Sequence, residues 1–316
     1  MLPDAVDLIA KGAIVAMPTE TVYGLAADAA NDRAVARIFE AKGRPQFNPL
    51  IIHVTGKTMA ARYVDFSPLA ERLAEAFWPG PLTLVLPRKP SVDKDSAVSL
   101  LVSAGLDTIA VRAPDHDVAQ ALIGALGRPV AAPSANRSGT ISPTTPSHVF
   151  QSLGDRIDGV IDGGACAIGL ESAIVKIDGD QASLLRPGGV RRDDIEAVIG
   201  KTLVEAKKSA APQAPGMLAS HYAPSVAVRL DADRAEGNEA FLGFGKMMDA
   251  EAKAALNLSV SGDMREAAAN LFAHLRALDA ACQDQGLDRI AAAPIPNSGL
   301  GEAINDRLAR AAAPRD

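Results

Sequence analysis

The chain has 316 residues, a formal net charge of −6, 48% hydrophobic and 22% charged side chains, and only 4% aromatics. That apolar content fills a core, so wholesale disorder is excluded, and the core must be aliphatic and alanine-rich. The negative balance excludes a general basic coat for nucleic acid and leaves room only for a local anion-binding pocket.

At about 150 residues per domain, the length suits two domains or one large one. Met1, Leu2, Pro3 and Asp4 lack the basic-then-apolar layout of a secretory leader, and no apolar run approaches the roughly 18 residues of a membrane helix. These features predict a cytoplasmic protein with no membrane partner. β-like apolar runs fall at 13–17, 50–54, 82–86, 109–111, 130–132, 160–161 and 173–177. Between them lie segments with helical spacing, such as Ala34, Val35, Ile38 and Phe39, or Leu69, Leu73 and Phe77. Alternating strands and helices predict an α/β layer architecture with a substantial sheet.

Near residue 205 the texture changes. Residues 207–216 have no hydrophobic period and carry two prolines and a glycine, which predicts an extended linker. Beyond it, runs at 226–230, 240–244 and 289–293 predict strands. Ala268, Leu271, Leu275 and Leu278 mark one helix face; Ile304, Leu308 and Ala311 mark another. The division expected is therefore 1–205, a linker or lid over 206–224, and a smaller Rossmann-like α/β unit over 225–316.

Nucleophilic and metal chemistry find little support. The five histidines are scattered without HxH or HExxH spacing, there is no GxSxG elbow, and Cys166 and Cys282 lack zinc-site spacing. No metal ligand set is expected from side chains. Gly299-Leu300-Gly301 reads as a turn feeding a helix. Without a Walker A loop, any nucleotide phosphates must be held by cations, hydroxyls and backbone amides. Lys42 and Arg44 stand two apart beside Gly43 and Pro45, where a helix must stop; a guanidinium fork plus an ammonium suits a polyphosphate. The plainer alternative is a helix C-terminus with cations matching its dipole. The 131–139 segment, rich in small hydroxyl and amide groups, follows an apolar strand, as ligand loops of α/β sheets do; a Ser/Asn turn is the alternative. The 18–24 segment reads as a ligand loop or an ordinary strand-to-helix turn.

Taken together, PTETVYGL (18–25), KGRP (42–45), WPGPLT (78–83), PSANRSG (133–139), Glu171-Ser172 and Arg186-Pro187-Gly188 resemble, in order and spacing, the threonylcarbamoyl-AMP synthases, YrdC-like enzymes of tRNA modification. HYAP (221–224) and GLGEAINDR (299–307) extend the resemblance to the long two-domain form. It implies a YrdC-like twisted open sheet with helices, and an enzyme that joins L-threonine, bicarbonate and ATP into threonylcarbamoyl-adenylate and releases pyrophosphate. Mg²⁺ would accompany the nucleotide, with no organic cofactor. A downstream threonylcarbamoyl transferase would then modify tRNA beside the anticodon. Carried over by motif, Lys42 and Arg44 are the expected catalytic cations. With Asn48, Thr108, Ser134, Asn136, Ser142, Arg186 and His221 they are the expected ATP contacts. Thr21, His53, Arg112 and Ser172 are the expected threonine contacts. One departure stands in the linker: Met217 is followed by Leu218-Ala219-Ser220, where the family has a basic and then an aromatic residue. Two other readings are a non-catalytic RNA-binding module of the same fold and a carbamoyl-adenylate enzyme of hydrogenase maturation. The charge of −6 opposes the first, and the second expects zinc-finger and acylphosphatase-like regions for which this chain has no room.

Overall fold

The computed structural model describes residues 2–90, 97–205, 214–216, 220–249 and 251–314. In the N-terminal unit, α1 (Leu2–Ala10) leads to β1 (Val15–Met17), β2 (Gly24–Asp28), α2 (Asp32–Lys42) and β3 (Ile51–His53). Next come α3 (Lys57–Ala60), α4 (Pro68–Phe77), β4 (Leu82–Pro87), β5 (Thr108–Arg112), α5 (Asp117–Leu126) and β6 (Val130–Ala131). Then α6 (Pro146–Leu153), β7 (Gly159–Val160), β8 (Ala173–Asp178), β9 (Gln181–Arg186), α7 (Arg192–Ile199) and β10 (Val204–Glu205) complete it. These strands form one mixed sheet in the order β10-β9-β8-β4-β5-β3-β6-β2-β1-β7.

Strand register sorts the side chains onto two faces. Ile52, Leu84 and Val111 point into the main aliphatic core, against Val35, Ile38, Leu69 and Leu73 of the helices. Each such side chain contributes about 1.5–3 kcal/mol by leaving water. Their neighbours one position on face the other way. In the paired registers His53↔Arg112, Ile51↔Ala110, Val85↔Ala110 and Ile174↔Arg186, polar and charged groups sit beside an apolar floor. Ile51, Val85, Ala110, Ile174 and Leu185 form that floor, and Ala214 covers it.

The apolar runs expected from the sequence all contain strands. β2, β9, β10 and a strand at 255–257 add to them. The 18–24 segment is not a strand-to-helix turn: it joins β1 to β2, which pair antiparallel from Val15↔Ala26 to Met17↔Gly24.

The C-terminal unit contains β11 (Ala227–Arg229), β12 (Glu239–Gly243), β13 (Ala255–Asn257), α8 (Met264–Gln285), β14 (Arg289–Ala292) and α9 (Leu300–Ala312). Its strands run parallel in the order β11-β14-β12-β13, the small Rossmann-like layer expected. Its core does not end at the unit's edge, because Val22, Ile141, Leu170 and Tyr222 pack in the same cluster as Leu271, Phe272 and Ile304. At Gly169 (φ +72°) a Cβ would stand 2.5 Å from the Cα of Ala269, so α8 approaches this loop as closely as backbones allow. Of the expected linker, 206–213 and 217–219 lie outside the described residues, and with them most of the departure at Met217-Leu218-Ala219.

Candidate active site

α2 ends as expected: Gly43 adopts φ 60° and caps the last turn through its N–H. Lys42 does not decorate that end in solvent. It is 3% exposed, and its Nζ donates to the carbonyls of Ser134 and Asn136. The 133–139 loop is thereby drawn onto the helix end, and Ser138 N–H returns a bond to Lys42 O at 2.8 Å. The same loop is zipped to the 18–24 loop by Leu25 N to Pro133 O and Ala135 N to Tyr23 O, both 2.7 Å. Thr19 shapes the latter loop, its Oγ1 donating to Val22 O at 2.6 Å and accepting from the N–H groups of Thr21 and Val22. Arg44 turns back into its own loop, donating from Nη2 to Pro49 O at 2.9 Å.

These loops surround a cavity of about 530 Å³ that includes the space at its mouth. Thr21, Arg44, His53, Arg112, Ser134, Ser172, Arg186 and His221 line it, so most of the expected residues converge there. Asn48 and Ser142 stand behind the lining, both wholly buried. Thr108, Lys42 and Asn136 are not among the lining residues; Thr108 shares a face of β5 with Arg112, four residues along, about 13 Å at ~3.3 Å per residue. Arg112 is less available than a free fork would be: its Nη1 donates to Thr21 Oγ1 at 2.9 Å and Nη2 pairs with Glu20 at 2.6 Å. Ser172 Oγ meets Thr83 Oγ1 at 2.7 Å, and its carbonyl accepts from Arg186 Nη2 at 2.9 Å.

The charges are unbalanced. Glu20 is taken by Arg112 and Glu171 by Arg307, and among the described residues Lys42, Arg44 and Arg186 have no carboxylate in ion-pair contact. Burial, reinforced by Arg44, pushes the Lys42 ammonium well below its ordinary value. Burial also pushes Arg44 down to about 10, with Arg186 adding to the effect against Tyr222. Each cation is thus held at a cost that an anion would relieve. Burial drives His53 and His221 down to about 3, so both rings are neutral near pH 7. Among the described residues, both amide atoms of Asn48, Oδ1 of Asn136, Nδ1 of His53 and of His221, and the Tyr222 hydroxyl are buried without a hydrogen-bond partner. Orphaned polar groups around one cavity are the mark of a site that a polar ligand completes. Burial raises the Cys166 thiol to about 12, which leaves it inert as a nucleophile.

Sequence reasoning did not single out Thr19, Glu20, Glu171 or Arg307. All four lie inside quoted motifs, but no role was drawn from them there. The partner of Glu171 is 136 positions away, beyond the reach of any spacing rule.

Residues 7–188 match the Sua5, YciO and YrdC family described as telomere recombination, and residues 190–313 match the family described as threonylcarbamoyl-AMP synthase, C-terminal domain. The threonylcarbamoyl-AMP synthase of Pyrococcus abyssi is 41% identical over 324 residues, 97% of this chain and 92% of that one. That of Bacillus subtilis is 39% identical over 336 residues, 99% of this chain and 93% of its own length. The chain belongs to the threonylcarbamoyl-AMP synthase family. It is an enzyme of the nucleotidyltransferase type, in the two-domain form. A solved structure of P. abyssi Sua5 complexed with L-threonine superposes with a TM-score of 0.88 at 39% identity, covering 98% of this chain and 94% of that one. The synthase fold therefore extends through both sheets.

Proposed function

We propose that this synthase condenses L-threonine, bicarbonate and ATP to threonylcarbamoyl-adenylate and pyrophosphate, for transfer to the adenosine beside the tRNA anticodon. The observation that carries the reading is the buried cation cluster: Arg44 and Arg186 line one cavity, Lys42 stands behind its Ser134 wall, and among the described residues none of the three makes an ion-pair contact with a carboxylate. Bicarbonate supplies CO₂ with loss of water, and threonine's amine adds to it and gives up a proton to form a carbamate; the carbamate oxygen then attacks the α-phosphorus and displaces pyrophosphate. No protein nucleophile enters, which agrees with a thiol held protonated and with imidazoles whose basicity burial lowers. The protein's work is positioning and neutralisation of charge on the phosphorus and the departing pyrophosphate. Lys42, Arg44 and Arg186 supply the charge, while Ser134, Asn136 and Asn48 offer hydrogen bonds to the nucleotide.

Thr21, His53 and Ser172 surround the amino acid. Arg112 faces it with a guanidinium partly neutralised by Glu20, which suits a carboxylate that must be gripped without being trapped. Mg²⁺ travels as part of the MgATP substrate, held by phosphate oxygens and water. His221 and Tyr222, with Pro215 and Gly216, close the cavity from the linker side and keep water from a labile adenylate. The product passes to a threonylcarbamoyl transferase acting on tRNA, in the cytoplasm; no helix among the described residues is long and apolar enough to cross a membrane.

The deciding experiment is pyrophosphate release from ATP by the purified chain, with threonine and bicarbonate omitted in turn. Dependence on both is expected. Release indifferent to threonine sinks the reading.

A further inference from the structure

We infer that Arg307, on α9 of the C-terminal unit, is a positioning residue for the reaction, holding three cavity-forming segments of the chain in one arrangement. The inference deepens the adenylate-forming reading and rests on it.

Arg307 is wholly buried despite its charge. Its Nε donates to Glu171 Oε2 at 2.9 Å, and its Nη1 donates to Pro187 O at 2.9 Å and to Asp306 Oδ2 at 2.7 Å. The guanidinium carbon lies 5.2 Å from the centre of the Tyr222 ring. Each protein contact outside α9 belongs to a different segment of the site. Glu171 lines the cavity beside Ser172, and its Oε1 accepts from Ser142 Oγ at 2.6 Å. Pro187 follows Arg186, whose guanidinium grips the Ser172 carbonyl. Tyr222, at φ 61°, carries the adjoining His221 ring 4.1 Å from its own. One planar fork from the second domain therefore ties the threonine side, the phosphate side and the closing segment together.

A bond that merely joined two domains would not need this chemistry. The interface already has an apolar core through Val22, Ile141 and Leu170, and a buried ion pair adds little stability over well-packed apolar groups. Geometric definition is what the guanidinium adds, since its donors lie in a fixed plane that an ammonium cannot reproduce. Burial opposes the charge on Glu171, yet Arg307 and Arg186 hold its carboxyl below the ordinary value, so the pair stays ionised at neutral pH.

The test is a cycle of Arg307→Lys, Glu171→Gln and the double substitution in the full chain. It is read by threonine-dependent pyrophosphate release, with KM and kcat separated for threonine and ATP, and by thermal unfolding in parallel. The expected result for Arg307→Lys is a folded enzyme with kcat/KM for threonine at least tenfold lower. The same substitution should cost clearly less in the Glu171→Gln background than in the unaltered chain, because one of the three tethers is already lost there. Near-normal turnover by Arg307→Lys, or a loss that simply multiplies with that of Glu171→Gln, overturns the inference.

If Arg307→Lys does not fold, Arg307→Met combined with Glu171→Met removes both charges and restores an apolar contact. A folded, at least tenfold weaker enzyme is then expected. Full activity from that pair shows that the contact only closes the interface. Absence of threonine-dependent release by the unaltered chain fails the proposed function instead, and is read separately.

Discussion

Lys42 shows how a single side chain carries both structure and charge. Its Nζ fastens the Ser134 and Asn136 carbonyls, while burial, reinforced by Arg44, pushes its ammonium well below the ordinary value. Lys42→Ala and Arg44→Ala each remove charge-assisted hydrogen bonds worth about 1.5–3 kcal/mol, or roughly 10–150-fold in rate. Pyrophosphate release should fall by that much at matched folding; near-normal release would leave Lys42 as no more than a loop fastener. The buried histidines make a second prediction at this scale. His53 and His221 have folded values near 3, depressed from 6.5 by burial first of all. As pH falls below about 6.5 the unfolded chain takes up protons that the folded chain refuses, so stability is lost through the window from 6.5 towards 3. Each ring contributes up to about 1.4 kcal/mol per pH unit, or about 2 kcal/mol at pH 5. Urea denaturation at pH 7.5, 6.5 and 5.5 should show this fall. An unfolding free energy that is flat below 6.5 would contradict it.

Individual elements were legible where composition is distinctive. Val, Ile and Leu runs at 50–54, 82–86 and 173–177 are strands because branched side chains pack well on a pleated surface. β2, reading GLAAD, carries no β-branched residue, and its strand state comes from pairing with β1 and β6 instead. That pairing also makes 18–24 a strand-to-strand loop, which local turn chemistry does not distinguish from a strand-to-helix turn. The stop of α2 was legible because Gly43 and Pro45 act locally. The Arg112 pairing with Glu20 was not, since it depends on β5 lying across the sheet. Gly169 offers a test of how closely elements meet. Alanine there would adopt a positive φ and drive its Cβ to 2.5 Å from the Ala269 backbone. The left-handed conformation and the overpacking together should cost about 2–4 kcal/mol. Activity should fall with stability, because α8 and α9 move away from the cavity as one packed pair. The check is denaturation and turnover of Gly169→Ala side by side; an unchanged midpoint would mean that the loop can shift freely.

At the scale of the whole molecule, the two sheets are joined by an apolar cluster and by buried charge, and the joint runs through the active site. Val22 and Leu170 belong to loops that form the cavity, yet their packing partners are Leu271, Phe272 and Ile304. A fragment ending at residue 205 would retain Lys42, Arg44, Arg186 and the whole ten-stranded sheet. It would lose Arg307, His221 and Tyr222, and it would expose Val22, Ile141 and Leu170, each of which forfeits about 1.5–3 kcal/mol of burial. The charge cluster alone therefore predicts a weak adenylating enzyme, while the joint predicts a fragment with loosened loops and a leaking cavity. The second effect should win, because the Glu171 carboxylate left without Arg307 adds an unpaired buried charge beside Ser172. Turnover of the 1–205 fragment should be below about one-tenth of the full chain, in keeping with losses of buried charge-assisted bonds. Any adenylate made should hydrolyse faster in the open cavity, seen as AMP accumulating with pyrophosphate. Equal turnover and an intact product would make the second domain an accessory, and the role given to Arg307 would fall with it.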